Sequence, residues 1–240
     1  MIILALDSTA TSASVALCDG KRLLAEYTIE NGNTHSENLL PMVEELLNKF
    51  KLSPRDVDLF ACTAGPGSFT GVRIGVATVK GLAFGTDKPC IGVSTLASLA
   101  RNLTGFGAEL QNGVIVSPVM NARRSQVYNA LFRICGNKIE RLTPDRAIPI
   151  SELESELMHY SSPIYLCGDG YDITKNGFSS LRVSETPSRL RIQSGYSTVQ
   201  EALSLYESGD FSSDRTLLPV YLRPCQAERE RLEKEAASKA

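Results

Sequence analysis

An α/β fold with mixed sheets is what this sequence predicts, and three features predict it. The chain opens with apolar runs at residues 2–7, 13–18 and 23–29, the last two joined by Asp19-Gly20 in a hairpin. Apolar runs at 57–63 and 88–93 each lead into a helical pattern, and strand alternating with helix argues for an α/β domain. Between those two strands lies a glycine-punctuated block, residues 64–85, that turns straight into an apolar helix.

That block organises the rest. Gly65-Pro66-Gly67 supplies the backbone angles of a tight turn, and Ser68 or Thr70 is placed to cap the helix. Its only charges, Arg73 and Lys80, are seven residues apart and share one narrow stripe, so the helix must be covered on more than one face. Glycines 71, 75 and 81 each cost about 1 kcal/mol relative to alanine in a helix, which is most simply offset where another backbone approaches closely. The block departs from a Walker phosphate loop, because Gly71 is followed by Val72 and Arg73 rather than Lys and a hydroxyl residue. A weaker anion site on the free N–H groups at the helix start stays open.

Size and composition set bounds. With 240 residues the chain can bury a core without staples, and a net charge of -2 lacks the global basic footprint of a protein that grips nucleic acid alone, though a local basic patch stays open. Six scattered cysteines with no Cys-x-x-Cys pair read as reduced core thiols of a cytosolic protein. The apolar N-terminus is short and without basic residues, so it reads as a first strand and not a leader, and no run approaches a membrane span.

In chain order, Thr34 and Glu37 have capping-box spacing and start a helix at His35, with Pro41 expected to bend it. Leu39, Val43, Leu46 and Phe50 form its apolar stripe, and Leu40, Met42 and Leu47 widen that stripe. Two successive helices thus carry surplus apolar surface, which either the rest of the chain covers or a subunit contact of roughly 800 Å² per partner absorbs. Residues 94–101 form a helix, and 105–113 a connection between domains. Strands follow at 114–120, 127–134 and 164–167, with a capping-box helix at 151–159. Residues 172–195 read as irregular, 197–207 as helix, 219–224 as extended and 227–239 as a solvated helix. The domain division expected is a first subdomain of 1–104 joined by 218–240, and a smaller second one of 105–217.

Two clusters could carry chemistry. Asp7-Ser8-Thr9, an acid at a strand tip followed by hydroxyls, is the layout with which actin-like and sugar-kinase-like folds hold metal-bound phosphates, and equally an ordinary turn composition. Arg123 and Arg124 suit an anion contact or, equally, a solvated turn. The two histidines, His35 and His159, have no metal-ligand spacing and support no Ser-His-Asp or Cys-His arrangement.

Taken together, Asp7-Ser8-Thr9, His35-Ser36-Glu37 with Leu39-Leu40-Pro41, the block from Gly65 to Gly75, Ala122-Arg123-Arg124 with Val127-Tyr128, and Pro219-Val220-Tyr221-Leu222-Arg223 resemble the TsaB (YeaZ) family, nearly end to end. The resemblance implies an α/β fold of the actin and sugar-kinase (ASKHA) superfamily with two subdomains. It also implies a non-catalytic subunit, once labelled glycoprotease, that pairs with the catalytic relative TsaD. With the ATPase TsaE, the pair places a threonylcarbamoyl group on the adenosine beside the tRNA anticodon. TsaD carries a His-x-x-x-His metal pair where this chain reads Ser94-Thr95-Leu96-Ala97-Ser98-Leu99, so no catalytic, metal or cofactor residue is expected here. Asn121 stands where the family pattern has Asp.

The expected working surface is a four-helix contact with TsaD, or a homodimer when TsaD is absent. Its candidate residues are His35, Leu39, Met42, Val43, Leu46, Arg73, Val76 and Lys80. ATP and magnesium are expected only in the assembled complex, tRNA only through it, and the location is cytoplasmic. The alternatives are an ATP-using phosphotransferase or hydrolase built on Asp7, Ser8, Thr9 and the Gly67-Ser68 turn, and, last, a peptidase.

Overall fold

The computed structural model describes residues 1–32, 34–106 and 113–223. Strands β1 (Ile2–Asp7), β2 (Ala13–Asp19) and β3 (Arg22–Ile29) form an antiparallel meander. β4 (Leu59–Gly65) and β5 (Cys90–Ser94) add in parallel beside β1, giving the order β3-β2-β1-β4-β5. Side chains alternate across a strand, and both faces of this sheet are buried. Leu4, Leu6, Val15, Phe60 and Cys62 face helices α1 (His35–Lys49) and α2 (Phe69–Ala83). Ile3, Ala5, Ala16, Leu59 and Ala61 face Val199, Ala202 and Leu203 of α6 (Gly195–Glu207).

The second sheet has the order β10-β7-β6-β8-β9, with β11 beside β6. Its central strand β6 (Val114–Asn121) pairs with β7 (Gln126–Asn129) near its end, with β8 (Phe132–Cys135) near its start, and in parallel with β11 (Ile164–Cys167). β9 (Lys138–Arg141) and β10 (Arg146–Pro149) form the edges. Helix α3 (Thr95–Arg101) covers one face, while α4 (Ile150–Leu157) and α5 (Tyr171–Gly177) cover the other. α3 and α6 are tied by a 3.0 Å hydrogen bond between the Ser98 and Thr198 hydroxyls and by the half-buried Arg101–Glu201 ion pair at 2.8 Å. Two mixed sheets flanked by helices are the α/β architecture that the sequence predicts.

Local chemistry explains where elements start. The Thr34–Glu37 capping box opens α1, which runs unbroken through Pro41, and the Ser68 hydroxyl caps α2 by accepting from the Gly71 N–H. Three local expectations are corrected. The single strand expected at 127–134 is two strands, because opposite it Pro118 has no N–H to offer the ladder. The Asn129 amide fills the break, donating to Ser117 Oγ, Pro118 O and Ala130 O. The capping box expected at Ser151 does not form: α4 begins after Pro149, and the Glu154 carboxylate instead accepts the N–H groups of Ser180 and Leu181. The stretch 172–195 contains α5 and a short 3-10 turn at Ser188–Leu190.

The chain crosses between the sheets twice. α3, from the span 1–104, fills the core of the second sheet, and α6, from the span 105–217, covers the first. Cys18, Cys62, Cys90 and Cys167 are buried free thiols, whereas Cys135 is exposed. Among the described residues no helix is long and apolar enough to cross a membrane. The connection at 105–113 lies partly, and the helix expected at 227–239 wholly, outside the described residues.

Candidate functional site

A cleft of about 580 Å³ opens where the start of α2, the β6–β7 turn and the segment 220–223 meet. One wall is the turn after β1, and the opposite wall carries Met120, Arg123, Tyr128 and Asp169.

The glycines of α2 explain the first wall. A Cβ on Gly71 would overlap the Ser8 carbonyl, one on Gly67 would stand 2.6 Å from the Thr9 carbonyl, and one on Gly75 2.7 Å from Ser8 Oγ. The close backbone approach that the sequence calls for is therefore that of the β1–β2 turn at Gly71, while at Gly75 the neighbour is the Ser8 side chain. Ser68 N–H donates to Thr9 O at 2.7 Å and Ser8 Oγ–H donates to Gly71 O at 2.8 Å, so helix and turn form one locked unit. Gly81, by contrast, has nothing near it.

Asp7 lies beneath this lock, 1 % exposed. Its Oδ1 accepts the Thr9 N–H at 2.9 Å and the Thr9 hydroxyl at 2.7 Å, while Oδ2 is buried without a partner. Burial pushes its pKa up to about 6, against the lowering by the Thr9 hydrogen bonds and with a further rise from the charge of Asp169. A metal-bound phosphate does not fit here. The carboxylate does not border the cleft, and the Thr9 groups that would bring a ligand to it are already bonded to Asp7 and α2. Among the described residues no group of three or more His, Cys, Asp or Glu side chains could hold a metal ion.

The far wall is built by an unusual turn. Arg123, Arg124 and Ser125 have φ of 61°, 55° and 56°, three successive non-glycine residues in the left-handed region, at roughly 1–2 kcal/mol each. Hydrogen bonds hold the turn: Ala122 N–H to Gln126 O, Gln126 N–H to Arg123 O, Arg123 N–H to Asn121 Oδ1 and Ile150 N–H to Ser125 O. Asn121 thus orders the turn by its side-chain oxygen, and its own N–H donates to Asp169 at 3.2 Å.

Residues 217–223 run back along α2 and over the turn at Gly65. Val220 N–H donates to Ala64 O at 2.7 Å, and Gly65, at φ 121°, leaves the room that the Val220 carbonyl fills. Tyr221 stacks on Phe69 at 4.8 Å, and Arg223 donates to Ala122 O at 2.9 Å. In the sequence Tyr221 and Arg223 stand only within an extended stretch and a resemblance; their contacts lie across long separations that no periodicity reveals.

The candidate interface residues are not one exposed surface. Leu39, Met42, Val43, Leu46 and Val76 are buried against the first sheet in the chain's own core, so the apolar excess at these five positions is absorbed internally. Arg73 Nε donates to the Tyr221 hydroxyl at 2.8 Å and its guanidinium lies 3.9 Å above the Phe69 ring. Lys80 donates to Leu217 O at 3.0 Å. His35 is half-buried, its Nε2 2.6 Å from Ala10 O. His159 is exposed, with Nδ1 3.3 Å from Glu156 O. Outward, α1 presents Leu40, 52 % exposed, beside the exposed Pro41, Glu44, Glu45, Asn48 and Lys49, and α2 presents the exposed stripe Thr70, Arg73, Ala77 and Gly81, with Phe84, 77 % exposed, just past its end.

Fold and site define a two-sheet α/β protein whose strand-tip carboxylate is shut away by a glycine-notched helix. Residues 23–176 match the family described as "TsaD: tRNA N6-adenosine threonylcarbamoyltransferase". Two relatives named tRNA threonylcarbamoyladenosine biosynthesis protein TsaB match almost throughout. The Bacillus subtilis protein is 30% identical over 95% of this chain and 96% of its own, and that of Escherichia coli 32% identical over 93% and 95%. A solved structure of YeaZ from Pseudomonas aeruginosa superposes with a TM-score of 0.78 at 27% identity, covering 92% of this chain and 99% of that one. The chain belongs to the TsaB (YeaZ) family.

Proposed function

We propose that this chain is a non-catalytic scaffold subunit in the biosynthesis of threonylcarbamoyladenosine in tRNA. It binds TsaD, joins TsaE in a ternary complex, and is required for transfer of the threonylcarbamoyl group to the adenosine adjacent to the anticodon. Alone it pairs with itself through the same surface. It acts in the cytoplasm and reaches tRNA through the complex, where any ATP and magnesium are held.

The observation that carries this reading is the seating of Gly67, Gly71 and Gly75 on Ser8 and Thr9, which occupies the turn that a phosphotransferase would keep open. The full-length similarity to proteins named for this pathway supports the process. The contact surface is assigned to the outward face of α1 and α2, from Leu40 across Ala77 and Gly81 to Phe84, because the inward residues already serve the core. A phosphotransferase acting alone is favoured by one feature, the unpartnered Asp7 Oδ2, and opposed by its burial.

Size-exclusion chromatography with TsaD and TsaE, followed by a tRNA modification assay, tests the reading. Modification should require this chain, which alone should turn over no ATP. Leu40→Asp and Ala77→Arg should melt like the wild type yet fail to co-elute with TsaD. ATP turnover by the isolated chain, or undiminished co-elution of both variants, would overturn it.

A further inference from the structure

Arg123 and Arg124 stand apart from the other charges around the cleft. Arg73 is engaged by Tyr221 and Phe69, and Arg223 by Ala122 O, but neither guanidinium of the 123–125 turn has a hydrogen bond or ion pair among the described residues. The turn's hydrogen bonds involve its backbone alone, from Ala122 to Ser125, so a fixed, left-handed main chain carries two uncommitted cations. Across the cleft, α2 begins with the N–H groups of Phe69 and Thr70, which precede the first intrahelical bond, from Val72 to Ser68 O, and so face anions.

We propose that this rim binds the phosphodiester backbone of a single-stranded RNA segment, with Arg123 and Arg124 on separate phosphates and an unstacked base against the aromatic side chains of the cleft. The inference deepens the proposed function, since it gives this chain its own contact with the tRNA. Three observations favour RNA over a small phosphorylated ligand. Only Arg123 borders the cleft, so the two cations address separate anions, as along a strand. The Asp169 carboxylate in the cleft wall repels a dianionic terminal phosphate more than a singly charged diester. Tyr128 and Tyr221 border the cleft and supply rings on which single-stranded bases stack.

Fluorescence anisotropy of a labelled, unmodified anticodon stem-loop RNA with the full chain alone, at about 50 mM salt, tests this independently of TsaD. Binding should weaken with salt, and Arg123→Gly and Arg124→Gly should each lower affinity severalfold and reduce the log–log salt slope by about 0.7 per lost phosphate contact. Because glycine relieves the left-handed backbone, both variants should melt higher than the wild type, which separates lost binding from lost fold. Arg124→Lys should retain part of the affinity. Millimolar ATP or pyrophosphate should not displace the RNA. Unchanged affinity in the double variant, no binding by the wild type, or displacement by pyrophosphate that depends on Arg123 alone would overturn the proposal. Failure to co-elute with TsaD would overturn the scaffold reading and leave this measurement intact.

Discussion

The imidazole of His35 and the carbonyl of Ala10 meet at 2.6 Å, and because a carbonyl only accepts, Nε2 carries the proton. The bond ties the first turn of α1 to the β1–β2 turn, on which α2 is also seated; a Cβ at Gly71 would come 3.3 Å from His35 Cδ2. Two helices thus converge on residues 8–10. Nδ1 is buried without a partner, so the ring contributes one hydrogen bond and its packing. His35→Ala should lower stability by about 1–2 kcal/mol, the range for a buried acceptor that loses its donor, as read from urea melts. Unchanged unfolding would show that the contact holds nothing.

The glycines of α2 should divide by neighbour. Gly71→Ala drives a methyl into the Ser8 carbonyl and should cost about 3 kcal/mol or more, since backbone must move on both sides. Gly81→Ala meets nothing within 4 Å and should stabilise by up to about 1 kcal/mol through helix propensity. Thermal melts of the two variants should shift in opposite directions; a shift of the same sign would remove the lock between α2 and the β1–β2 turn as the reason for the glycines.

What could be read ahead of the structure was local. Ser68 as a cap, the box at Thr34 and Glu37, and the need for a backbone beside Gly71 follow from the chemistry of a few adjacent residues. What could not be read was which surface covers which. An apolar stripe on α1 shows that Leu39 and Leu46 need a partner, without saying that the first sheet supplies it, or that α6, far along the chain, covers the sheet's other face. The Arg123–Ser125 turn carries none of the glycines that mark left-handed backbone, and α5 starts at Gly170 without a side-chain cap. The segment 217–223 gives no sign of its rest on Gly65 until the φ of that glycine is known.

Burial also changes what a charge on α1 or α2 reports. Val76 is 4 % and Leu46 0 % exposed in the core of the isolated chain. Val76→Arg or Leu46→Arg would place an unpaired cation there, at a cost of several kcal/mol. Circular dichroism should show both variants largely unfolded or melting far below the wild type without any partner, so lost TsaD binding in them would report lost fold. If either melts like the wild type, the core position assigned to that helix is wrong.

Asp7 gives a signed pH dependence. Its folded pKa, about 6, lies above the ordinary 3.8, so the fold favours the protonated form. The associated stability is therefore fully present below about pH 3.8 and is lost as pH rises through about 6. Above that the ionised carboxylate is a burden of about 3 kcal/mol, from a shift of roughly two pKa units. Asp7→Asn keeps an oxygen for the Thr9 N–H and hydroxyl, and its amide can donate to the Thr63 hydroxyl oxygen beside it, which lowers the Asp7 pKa in the wild type. The variant should thus be more stable than the wild type at pH 7.5, with the difference shrinking towards zero as pH falls from 6 to 4. Urea melts across that range measure it as the difference between the two chains, in which the depressed carboxylates Asp58 and Glu154 drop out and Asp169, also raised to about 6, enters only through its coupling to Asp7. A difference that stays flat with pH, or a variant less stable at pH 7.5, would mean that Asp7 is held ionised by a partner in its buried site.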